Sequence, residues 1–320
     1  MKRIVVTGAT SFLGSTLVKK LLEDGHFVYA VVRPASANRK ALPEEKENLV
    51  VIESELEKLD RIETMISSPC DYFFHFGWDG SGSENRKKQD VQQKNVEDSL
   101  KALTGAKNLG CRRFLFSGSQ AEYGQCPDVM YEERECHPVS EYGKAKREFY
   151  ERARSMCKKW NEEGVSGIGY IHTRIFSVYG FGDHPSSLVC TCLKTFSEGG
   201  HMELGACTQQ WNYLYIDDLV EGLIALMFSD AEIREDSLYN VAGRESQTMP
   251  LRNYVEKMHE LCGGRGDYAY EKCVPNAEGL ANLIPDTTRI YEDTGWVPKV
   301  SFEEGIRRMI GKMKETACIK

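Results

Sequence analysis

Apolar and polar residues follow two different periodic patterns along the N-terminal half of the chain. Short runs rich in β-branched and aromatic residues indicate buried strands, and apolar residues spaced three or four apart indicate helices packed on them. The strand-like runs lie near residues 4–6, 27–32, 49–52, 72–74, 113–116 and 169–172. Helical stretches lie between them near residues 13–22, 57–67 and 86–108, and a long helix begins near Tyr142. This alternation predicts βαβ units around a parallel sheet, and therefore a doubly wound α/β fold.

The pattern changes after about Gly180, where the predicted elements become shorter and glycine and asparagine become more frequent. The run from Tyr213 to Ile216 predicts a strand that leads into a helix starting near Asp217. We expect residues 1–180 to form the doubly wound domain. Residues 181–320 are expected to form mainly a smaller α/β lobe, with some segments returning to the first domain.

Composition and charge argue against several classes of protein. The chain has 320 residues, of which 41% are hydrophobic and 28% charged, as in ordered globular proteins. It contains no apolar run near the roughly 18 residues that cross a membrane, and Met1 to Arg3 precede only three apolar residues, so no secretory signal is expected. The net charge of −7 argues against a nucleic-acid partner. Eleven scattered cysteines without a repeated CxxC indicate reduced thiols of a cytoplasmic protein rather than a metal site.

A glycine-rich turn follows the first predicted strand. Gly8, Ser11 and Gly14 are spaced three apart between that strand and the first helix. In such a strand–turn–helix unit, backbone N–H groups and the positive end of the helix hold a pyrophosphate, and glycine permits its close approach. The turn therefore predicts a dinucleotide site of the Rossmann type, formed by Gly8, Thr10, Ser11, Phe12, Leu13 and Gly14.

The residue after the second strand distinguishes NAD from NADP. A carboxylate there accepts a hydrogen bond from the ribose 2′-hydroxyl, whereas a cation accommodates a 2′-phosphate. This chain has Arg33, followed by Arg39 and Lys40, and its first carboxylate beyond the strand is Glu44. The pattern favours NADP over NAD.

A tyrosine and a lysine, Tyr142 and Lys146, lie four residues apart on one face of the long helix. An ammonium group beside a phenol favours the phenolate and lowers the phenol pKa from its usual value of about 10. Such a tyrosine can exchange a proton with a substrate oxygen while a nicotinamide exchanges hydride. Ser119, after the fifth strand, can hydrogen-bond the same oxygen.

Together these motifs make the chain resemble the extended short-chain dehydrogenases/reductases, and within them the NAD-dependent epimerase/dehydratase family, which acts mostly on nucleotide sugars. Residues 7–14 are similar to its TGxxGxxG turn, with Ser11 in place of the middle glycine, and Tyr142 with Lys146 is similar to its YxxxK. Further segments similar to family motifs lie along nearly the whole chain: Glu55-Leu56, His75-Phe76-Gly77, Asn95-Val96, Ser117-Gly118-Ser119 with Tyr123-Gly124, Arg174 with Val178-Tyr179-Gly180, Ile216-Asp217-Asp218, Tyr239-Asn240-Val241 and Gly295-Trp296-Val297-Pro298.

The resemblance implies a set of site residues. The catalytic set would be Asn95, Ser119, Tyr142 and Lys146. Besides the glycine-rich turn, the cofactor would contact Arg33, Arg39, Glu55, Leu56, Phe76, Gly77 and Lys146. The substrate would contact Trp78, Gln120, Ala121, Ser177 and Trp211. A metal ion is not implied.

Departures from the family pattern bear on the substrate. Members that dehydrate sugars place Asp and Glu directly after the catalytic Ser or Thr; here those positions hold Gln120 and Ala121, so 4,6-dehydration is not expected. Two family arginines that clamp the substrate diphosphate are replaced, one by Trp211 and the other by Asn276. The indole of Trp211 either stacks on a base or sugar ring or packs in the core. The candidate substitutes for the two arginines are Arg244, Arg289 and Lys194.

The leading hypothesis is an NAD(P)-dependent oxidoreductase that reduces the 4-keto group of a nucleotide-linked sugar, with Tyr142 as proton donor. A 4-epimerase that retains NAD is the first alternative. A carbonyl reductase of a non-nucleotide substrate is the second, because Val32-Arg33-Pro34 resembles a segment of flavonoid- and steroid-type relatives. A non-catalytic cofactor-binding protein is the third, although such relatives usually lack the Tyr or the Lys. The resemblance also implies a homodimer that pairs through the helices near residues 86–108 and 142–163.

Overall fold

The computed structural model describes residues 1–44, 46–82, 84–164, 167–230, 237–273 and 281–318, without the side chains of residues 316–318. Up to residue 175, strands and helices alternate as the sequence pattern predicts. They are β1 (Arg3–Thr7), α1 (Phe12–Glu23), β2 (Phe27–Val32), β3 (Leu49–Glu53), β4 (Tyr72–His75), α2 (Gln89–Asn108), β5 (Arg113–Ser119), α3 (Glu141–Glu162) and β6 (Gly169–Ile175). Short 3₁₀ helices lie at Arg39–Ala41, Leu56–Thr64, Asn85–Lys87 and Gln120–Glu122.

The helical stretch predicted near residues 57–67 forms a 3₁₀ helix, Leu56–Thr64, rather than an α-helix. Its two buried residues, Leu59 and Ile62, are three apart, which matches a helix of about three residues per turn. Helix α2 packs closely on this segment, because a Cβ at Gly105 would lie 1.9 Å from the Leu59 carbonyl oxygen.

The strands that follow are only two to four residues long, as the sequence pattern after about Gly180 predicts, whereas the helices are not uniformly shorter. The strands and helices are β7 (Ser177–Tyr179), α4 (Leu188–Ser197), β8 (His201–Glu203), β9 (Gln210–Trp211), β10 (Tyr213–Tyr215), α5 (Ile216–Phe228), β11 (Leu238–Val241), β12 (Met249–Pro250), α6 (Leu251–Leu261), β13 (Asp267–Ala269), α7 (Thr288–Thr294) and α8 (Phe302–Cys318). Strand β7 pairs with β10 and β8 with β13, both in parallel, whereas β9 and β12 are antiparallel.

Within the described part of the chain, seven strands form the central sheet, in the order β3-β2-β1-β4-β5-β6-β11. The neighbouring strands from β3 to β5 are parallel, and Val5 in β1 lies opposite Tyr29 in β2 and Phe73 in β4. The strand order reverses between β1 and β4, because the chain first builds outward through β2 and β3 and then returns to the other side of β1. In doubly wound folds the carboxyl ends of the strands open into a ligand crevice at this reversal. The predicted fold class is confirmed.

The described chain divides into two compact units. The first comprises Met1–Gly124, Cys136–Arg174 and Leu223–Tyr239, and it holds strands β1 to β5 with helices α1 to α3. The second comprises Gln125–Glu135, Ile175–Gly222 and Asn240–Lys320, and it holds the three small two-stranded sheets. Among the described residues, no helix is long and apolar enough to cross a membrane.

One apolar face fixes helix α3 on the sheet of the first unit. Ala145, Phe149 and Ala153 are spaced four apart and buried, and Phe149 packs on Phe116 of β5 with ring centroids 4.0 Å apart. Full burial of one such aromatic side chain stabilises a fold by roughly 2–3 kcal/mol. This packing fixes the first turns of α3, which carry Tyr142 and Lys146, against the end of β5.

Candidate functional site

Two glycines of the predicted dinucleotide turn lie where no side chain fits. Gly8 has a φ of +62°, and a Cβ there would lie 2.8 Å from the Phe76 carbonyl carbon and 2.9 Å from the Gly77 nitrogen. A Cβ at Gly14 would lie 2.3 Å from the Gly8 carbonyl oxygen. The turn therefore folds tightly between β1, α1 and the chain after β4, as close approach to a pyrophosphate requires.

Ser11, which replaces the family's middle glycine, is the N-cap of α1. Its backbone is extended, with φ −72° and ψ 167°, and its Oγ accepts a hydrogen bond from the Gly14 N–H at 3.1 Å. A serine in this position satisfies one of the free N–H groups at the helix N-terminus. Serine in place of the family's glycine therefore stabilises the N-terminus of α1, whose positive end lies toward the turn.

A cavity of about 150 Å³ opens at the reversal of strand order in the first unit. Eight of the predicted site residues line it: Gly8, Thr10, Ser11, Arg33, Leu56, Phe76, Gly77 and Trp78. The sequence prediction missed six further lining residues: Val31, Val32, Ser36, Asn38, Ser54 and Asp79. Ser54 and Leu56 lie beside Glu55, whose own side chain is exposed. Among the described residues, Glu55, Arg39, Phe12, Leu13, Gly14 and Lys146 lie outside the lining set.

Buried polar groups hold the turn beneath this cavity. The Thr7 hydroxyl lies 2.7 Å from His75 Nδ1 and accepts from the Gly77 N–H at 3.3 Å, while His75 Nε2 lies 3.0 Å from the Ser99 hydroxyl. Burial lowers the pKa of His75 to about 3, and the charge of Lys146 adds to the effect. His75 is therefore neutral at physiological pH, and the hydrogen bonds of its two ring nitrogens connect β4 with β1 and α2.

Arg33 lies at the end of the cavity that follows β2. Its guanidinium pairs with the Asp79 carboxylate at 2.9 Å, and both side chains are more than half exposed, 64% and 58%. An ion pair with this exposure contributes about 0–1 kcal/mol, so an incoming anion can displace Asp79. Beside it, the hydroxyls of Thr10 and Ser36 lie 3.2 Å apart. This end of the cavity thus offers a cation, two hydroxyls and the amide of Asn38.

The predicted catalytic helix is brought to the predicted catalytic serine by a glycine. Ser140 caps α3 and accepts from the Gly143 N–H at 3.1 Å. A Cβ at Gly143 would lie 2.4 Å from the Ala121 carbonyl oxygen. The first turn of α3, with Tyr142, therefore lies directly against the 3₁₀ turn Gln120–Glu122 that follows Ser119.

Lys146 is buried next to Tyr142. Its Nζ donates to the Ser117 carbonyl oxygen at 2.7 Å and lies 3.8 Å from the ring centroid of Trp78 and 5.5 Å from that of Tyr142. Burial lowers the pKa of Lys146 well below its usual range; the charge of Glu122 opposes this shift and that of Arg86 adds to it. The Trp78 ring also meets the Tyr142 ring edge-on at 6.2 Å. Trp78, predicted as a substrate contact, lines the cavity and packs on the lysine.

Ser119 caps the 3₁₀ turn that contains Gln120 and Ala121. Its Oγ accepts from the Ala121 N–H at 3.2 Å and donates to Gln120 Oε1 at 2.6 Å. The side chain at the position of the family's dehydration acid is therefore an amide that orients the serine hydroxyl. Neither Gln120 nor Ala121 can exchange a proton at neutral pH.

A buried cluster behind Ser119 was not predicted from the sequence. Glu122 is fully buried, and its carboxylate accepts from the Ser119 N–H at 2.9 Å, from His172 Nε2 at 2.9 Å and from Arg174 Nε at 3.1 Å. The Tyr170 hydroxyl lies 2.6 Å from His172 Nδ1, and burial raises the pKa of Tyr170 strongly, so this phenol donates.

Charge in this cluster is balanced between Glu122 and Arg174. Burial alone would raise the pKa of Glu122, but His172, Arg174 and the Ser119 N–H together lower it below its usual range. Burial lowers the pKa of His172 although Glu122 opposes the shift, so His172 is neutral. Its Nδ1 accepts a hydrogen bond from the Tyr170 hydroxyl, and its Nε2 donates one to Glu122. The sequence feature that points to this buried cluster is Gly118, because a Cβ there would lie 2.4 Å from His172 Nε2 and 2.6 Å from Glu122 Oε1.

Asn95, predicted as catalytic, binds the backbone of the loop after β4. Its Oδ1 accepts from the Asp79 N–H at 2.8 Å, and its Nδ2 donates to the carbonyls of Asp79 at 2.8 Å and Val91 at 3.0 Å. These three bonds engage the carboxamide at both ends. In this structure the residue positions the loop that carries Trp78 and Asp79.

The predicted substrate residues of the second unit lie on its small sheets. Ser177 begins β7, and Trp211 in β9 pairs with Met249. Next to it, Asn212 is fully buried and donates to the Arg244 carbonyl and the Thr248 hydroxyl, each at 3.0 Å. At the position of the family's arginine-containing segment, this chain therefore uses Asn212 to connect the segment between β9 and β10 with residues 244–248. Asn276 lies outside the described residues.

Two of the candidate substitutes for the missing arginines are engaged within the second unit. Arg244 Nε donates to the Pro298 carbonyl at 2.8 Å, and Arg289 pairs with Glu133. Lys194 lies exposed in the last turn of α4. In the part of the chain that the structure describes, no group of three or more metal-ligating side chains occurs, and ten cysteines are free thiols.

The first unit thus combines the predicted dinucleotide cradle with a phenol, a lysine and a serine hydroxyl held at the end of β5. The cradle fits a dinucleotide because the glycines at its turn leave no room for side chains and the helix behind it begins with a satisfied cap. Tyr142 and Ser119 are groups that can exchange a proton with, and hydrogen-bond, the oxygen of a secondary alcohol or ketone.

Comparison with known proteins agrees with this arrangement. Over residues 4–242 the chain matches the model of the NAD dependent epimerase/dehydratase family. It is 28% identical to UDP-glucuronic acid decarboxylase 1 of Arabidopsis thaliana, over 98% of this chain and 70% of that protein. Two similar solved structures are the UDP-glucose 4-epimerase of Thermotoga maritima with UDP-glucose (TM-score 0.83, 24% identity) and the UDP-glucuronic acid 4-epimerase of Bacillus cereus with UDP-glucuronic acid and NAD (TM-score 0.82, 21% identity). Each comparison covers 98% of this chain and 99% of the other. The chain therefore belongs to the NAD-dependent epimerase/dehydratase family.

Proposed function

We propose that this protein acts on a nucleotide-linked sugar and exchanges hydride at C4 of the sugar with a bound nicotinamide dinucleotide, while Tyr142 exchanges the proton at the C4 oxygen. The observation that carries this proposal is the close approach of Gly143 to Ala121, which brings the helix of Tyr142 and Lys146 to Ser119 in the unit that holds the dinucleotide cavity. When bound, the nicotinamide supplies or accepts the hydride.

Each residue of the centre has a role that its contacts support. Tyr142 holds the proton that moves to or from the substrate oxygen, and the Ser119 hydroxyl, oriented by Gln120, hydrogen-bonds the same oxygen. Lys146, held by the Ser117 carbonyl, places an ammonium beside the phenol. The residues proposed to hold the dinucleotide are those of the glycine-rich turn with Arg33, Leu56, Phe76 and Gly77.

The first candidate for the net reaction is 4-epimerisation with a retained dinucleotide. Two similar solved structures are 4-epimerases, and one of them contains NAD. Gln120 and Ala121 in place of the acidic pair argue against 4,6-dehydration, which also returns the hydride to the sugar within one turnover. On the similarity to these 4-epimerases, we rank the epimerase ahead of the reductase, the reverse of the order that the sequence favours.

The second candidate is reduction of a 4-keto sugar by NADPH, and Arg33 favours it. The adenosine end of the cavity presents this guanidinium together with Ser36 and Asn38, a set of donors suited to a 2′-phosphate. Such an enzyme releases its oxidised cofactor after each turnover, so it would be isolated without a full complement of bound nucleotide.

One experiment separates these candidates. The dinucleotide released from the purified, denatured protein is identified, and the native protein is then incubated with UDP-glucose or UDP-glucuronic acid without added cofactor. Bound NAD and conversion at C4 support the epimerase. Absence of bound nucleotide, with NADPH-dependent reduction of a nucleotide-linked 4-keto sugar, supports the reductase.

Thermal unfolding with a panel of nucleoside diphosphates, combined with the turnover assays, tests the two remaining hypotheses. Protection against thermal unfolding by UDP, GDP, CDP or dTDP is expected if the substrate carries a nucleotide. Protection by none of them, with reduction of a simple ketone, would instead indicate a carbonyl reductase of a non-nucleotide substrate. No turnover in any assay, with wild type and Tyr142→Phe binding the dinucleotide equally, would indicate a non-catalytic protein.

A further inference from the structure

Tyr142 has a second cation beside its ring. The guanidinium carbon of Arg86 lies 4.2 Å from the centroid of the Tyr142 ring, closer than Lys146 Nζ at 5.5 Å. Arg86 belongs to the 3₁₀ turn Asn85–Lys87 and is half-buried. The YxxxK motif accounts for one positive charge at the phenol, and the structure places two there.

A buried glutamine helps to hold the segment that carries Arg86. Gln92 of α2 is 1% exposed, and its Nε2 donates to the carbonyls of Gly80 and Asn85, each at 3.0 Å. Its Oε1 accepts from the Trp78 indole N–H at 2.8 Å. The same side chain therefore anchors the backbone next to Arg86 and the ring that packs on Tyr142 and Lys146. The Arg86 N–H also donates to the Gly82 carbonyl at 3.1 Å.

Two cations lie beside the Tyr142 ring, Arg86 and Lys146. Other charged groups on the elements around it include the Glu141–Lys144, Arg147–Glu151 and Arg152–Glu148 pairs of α3, the exposed Lys87 on the 3₁₀ turn, Glu122 after Ser119, Glu97 of α2, and Asp79 after β4. Glu97 pairs with Arg152 and Asp79 with Arg33. Glu122 is bound by His172 and Arg174. The carboxylates are therefore engaged by other cations or hydrogen-bond donors.

We propose that Arg86 acts on the reaction through Tyr142, by stabilising its phenolate as a second, permanent cation. The inference rests on the proposed function for Tyr142 as the proton-exchanging group. A guanidinium keeps its charge at every physiological pH, whereas an ammonium can lose its proton. Arg86 would thus act through its charge on the Tyr142 phenolate and would not contact the substrate.

The environment of Lys146 explains why a second cation matters. Lys146 is 3% exposed, and burial lowers its pKa well below the usual range. Burial therefore disfavours the charged form of this lysine, whereas the guanidinium of Arg86 keeps its charge beside the Tyr142 ring.

The test is a fluorine NMR titration of the full-length protein labelled with fluorotyrosine, which does not require turnover. The Tyr142 resonance is assigned by its loss in Tyr142→Phe, and its chemical shift is followed with pH in wild type, Arg86→Gln, Arg86→Lys and Lys87→Gln. Lys87→Gln is the matched control, because it removes one charge from the same turn at an exposed position. Circular dichroism verifies that each variant is folded.

Arg86→Gln is expected to raise the pH midpoint of the Tyr142 titration by about 1 pH unit, as loss of one charge at this separation implies. Arg86→Lys should restore most of the difference, and Lys87→Gln should lie within about 0.3 pH units of wild type because solvent screens an exposed charge. Equal midpoints in Arg86→Gln and Lys87→Gln would overturn the proposal. If Tyr142 titrates as expected but no nucleotide sugar is turned over, the proposed function fails, while the stabilisation of the Tyr142 phenolate by Arg86 stands.

Discussion

Gly143 and Gly118 determine how closely backbone and side chains approach one another around Ser119. A Cβ at Gly143 would meet the Ala121 carbonyl oxygen at 2.4 Å, and one at Gly118 would meet His172 Nε2 at the same distance. Real Cβ atoms do not approach other atoms so closely, so any side chain at either position forces a displacement. The glycines of these motifs are therefore conditions for the geometry of the centre.

Gly143→Ala should displace the start of α3 from the turn after Ser119. We expect turnover to fall by about 100-fold, because a misplacement of about 1 Å at a reacting group costs this much. The measurement is kcat together with the free energy of unfolding in denaturant. Gly311→Ala in α8 is the control: its Cβ would meet nothing within 4 Å. It should keep activity and stabilise the helix by roughly 0.5–1 kcal/mol. Equal activity of the two variants would contradict the role of Gly143.

Glu122→Gln should destabilise the protein by about 3–5 kcal/mol near neutral pH, since it leaves Arg174 buried without its counter-charge. The folded-state pKa of Glu122 lies below the ordinary 4.5, so its carboxylate contributes stability above that pH and loses it as the pH falls. The gap between wild type and variant in unfolding free energy should therefore narrow below about pH 4.5. Glu63→Gln, at an exposed carboxylate, should show neither effect. A gap that stays constant with pH would contradict this assignment of charge.

Local motifs predicted Tyr142, Lys146 and Ser119, but not the groups that support them. The contact of Glu122 with His172 joins residues 50 positions apart, and that of Arg86 with Tyr142 joins two different elements. No period or spacing in the chain encodes such pairs, because the fold brings them together only after the sheet has formed. Gly118 was the one local hint, since its lack of a side chain makes room for Glu122.

At the scale of elements, the start of α1 couples helix formation to the dinucleotide cradle. Ser11 caps the helix and lines the cavity at the same time. The free N–H groups that follow such a cap, together with the helix dipole, favour a negatively charged ligand. Loss of the cap would therefore weaken both the helix and its hold on phosphate.

Ser11→Ala is expected to lower the free energy of unfolding by about 1 kcal/mol, whereas Ser11→Gly, which restores the middle glycine of the family motif, should cost only about 0.3 kcal/mol. Denaturant unfolding measures both changes. Dinucleotide affinity should follow the same order, with the glycine variant close to wild type. An alanine variant as stable as wild type would show that the Ser11 hydroxyl does not support the helix.

The strands were well predicted because each is a short apolar run bounded by polar residues, as at β1, β2 and β5. The segment Leu56–Thr64 was predicted as helical without its type, because two apolar residues three apart fit an α-helix and a 3₁₀ helix equally well. The 3₁₀ turn Asn85–Lys87, which carries Arg86, lay at the start of a predicted helix that in the structure begins at Gln89. Helix ends are set by caps and tertiary contacts more than by periodicity.

For the whole molecule, the division into two units does not follow a single boundary in the sequence. Residues 125–135 group with the second unit and Leu223–Tyr239 with the first. Composition changes only once along the chain, near Gly180, so it could indicate two parts but not the segments exchanged between them. Two of the three candidate substitutes for the diphosphate arginines, Arg244 and Arg289, are held in internal contacts of the second unit.

A homodimer through α2 and α3 remains a prediction from the family resemblance. Glu97 of α2 and Glu148 of α3 both pair with Arg152, and these side chains are exposed to between 39% and 53% in the single chain. Sedimentation equilibrium should give twice the 36.3 kDa of one chain. A mass of one chain across the concentration range would contradict this prediction.

The most direct test of the proposed chemistry is the absorbance of reduced nicotinamide in the protein mixed with a panel of nucleotide-linked sugars. After loading with NAD, wild type should show a rise in this absorbance with at least one UDP-, GDP- or dTDP-linked hexose, because hydride leaves C4 as Tyr142 takes the proton. In Tyr142→Phe the rise should be slower by about 100-fold or more. An absorbance rise of equal rate in wild type and Tyr142→Phe would contradict hydride exchange through Tyr142. So would the absence of any absorbance rise with every sugar tested, whether the protein is loaded with NAD or with NADP.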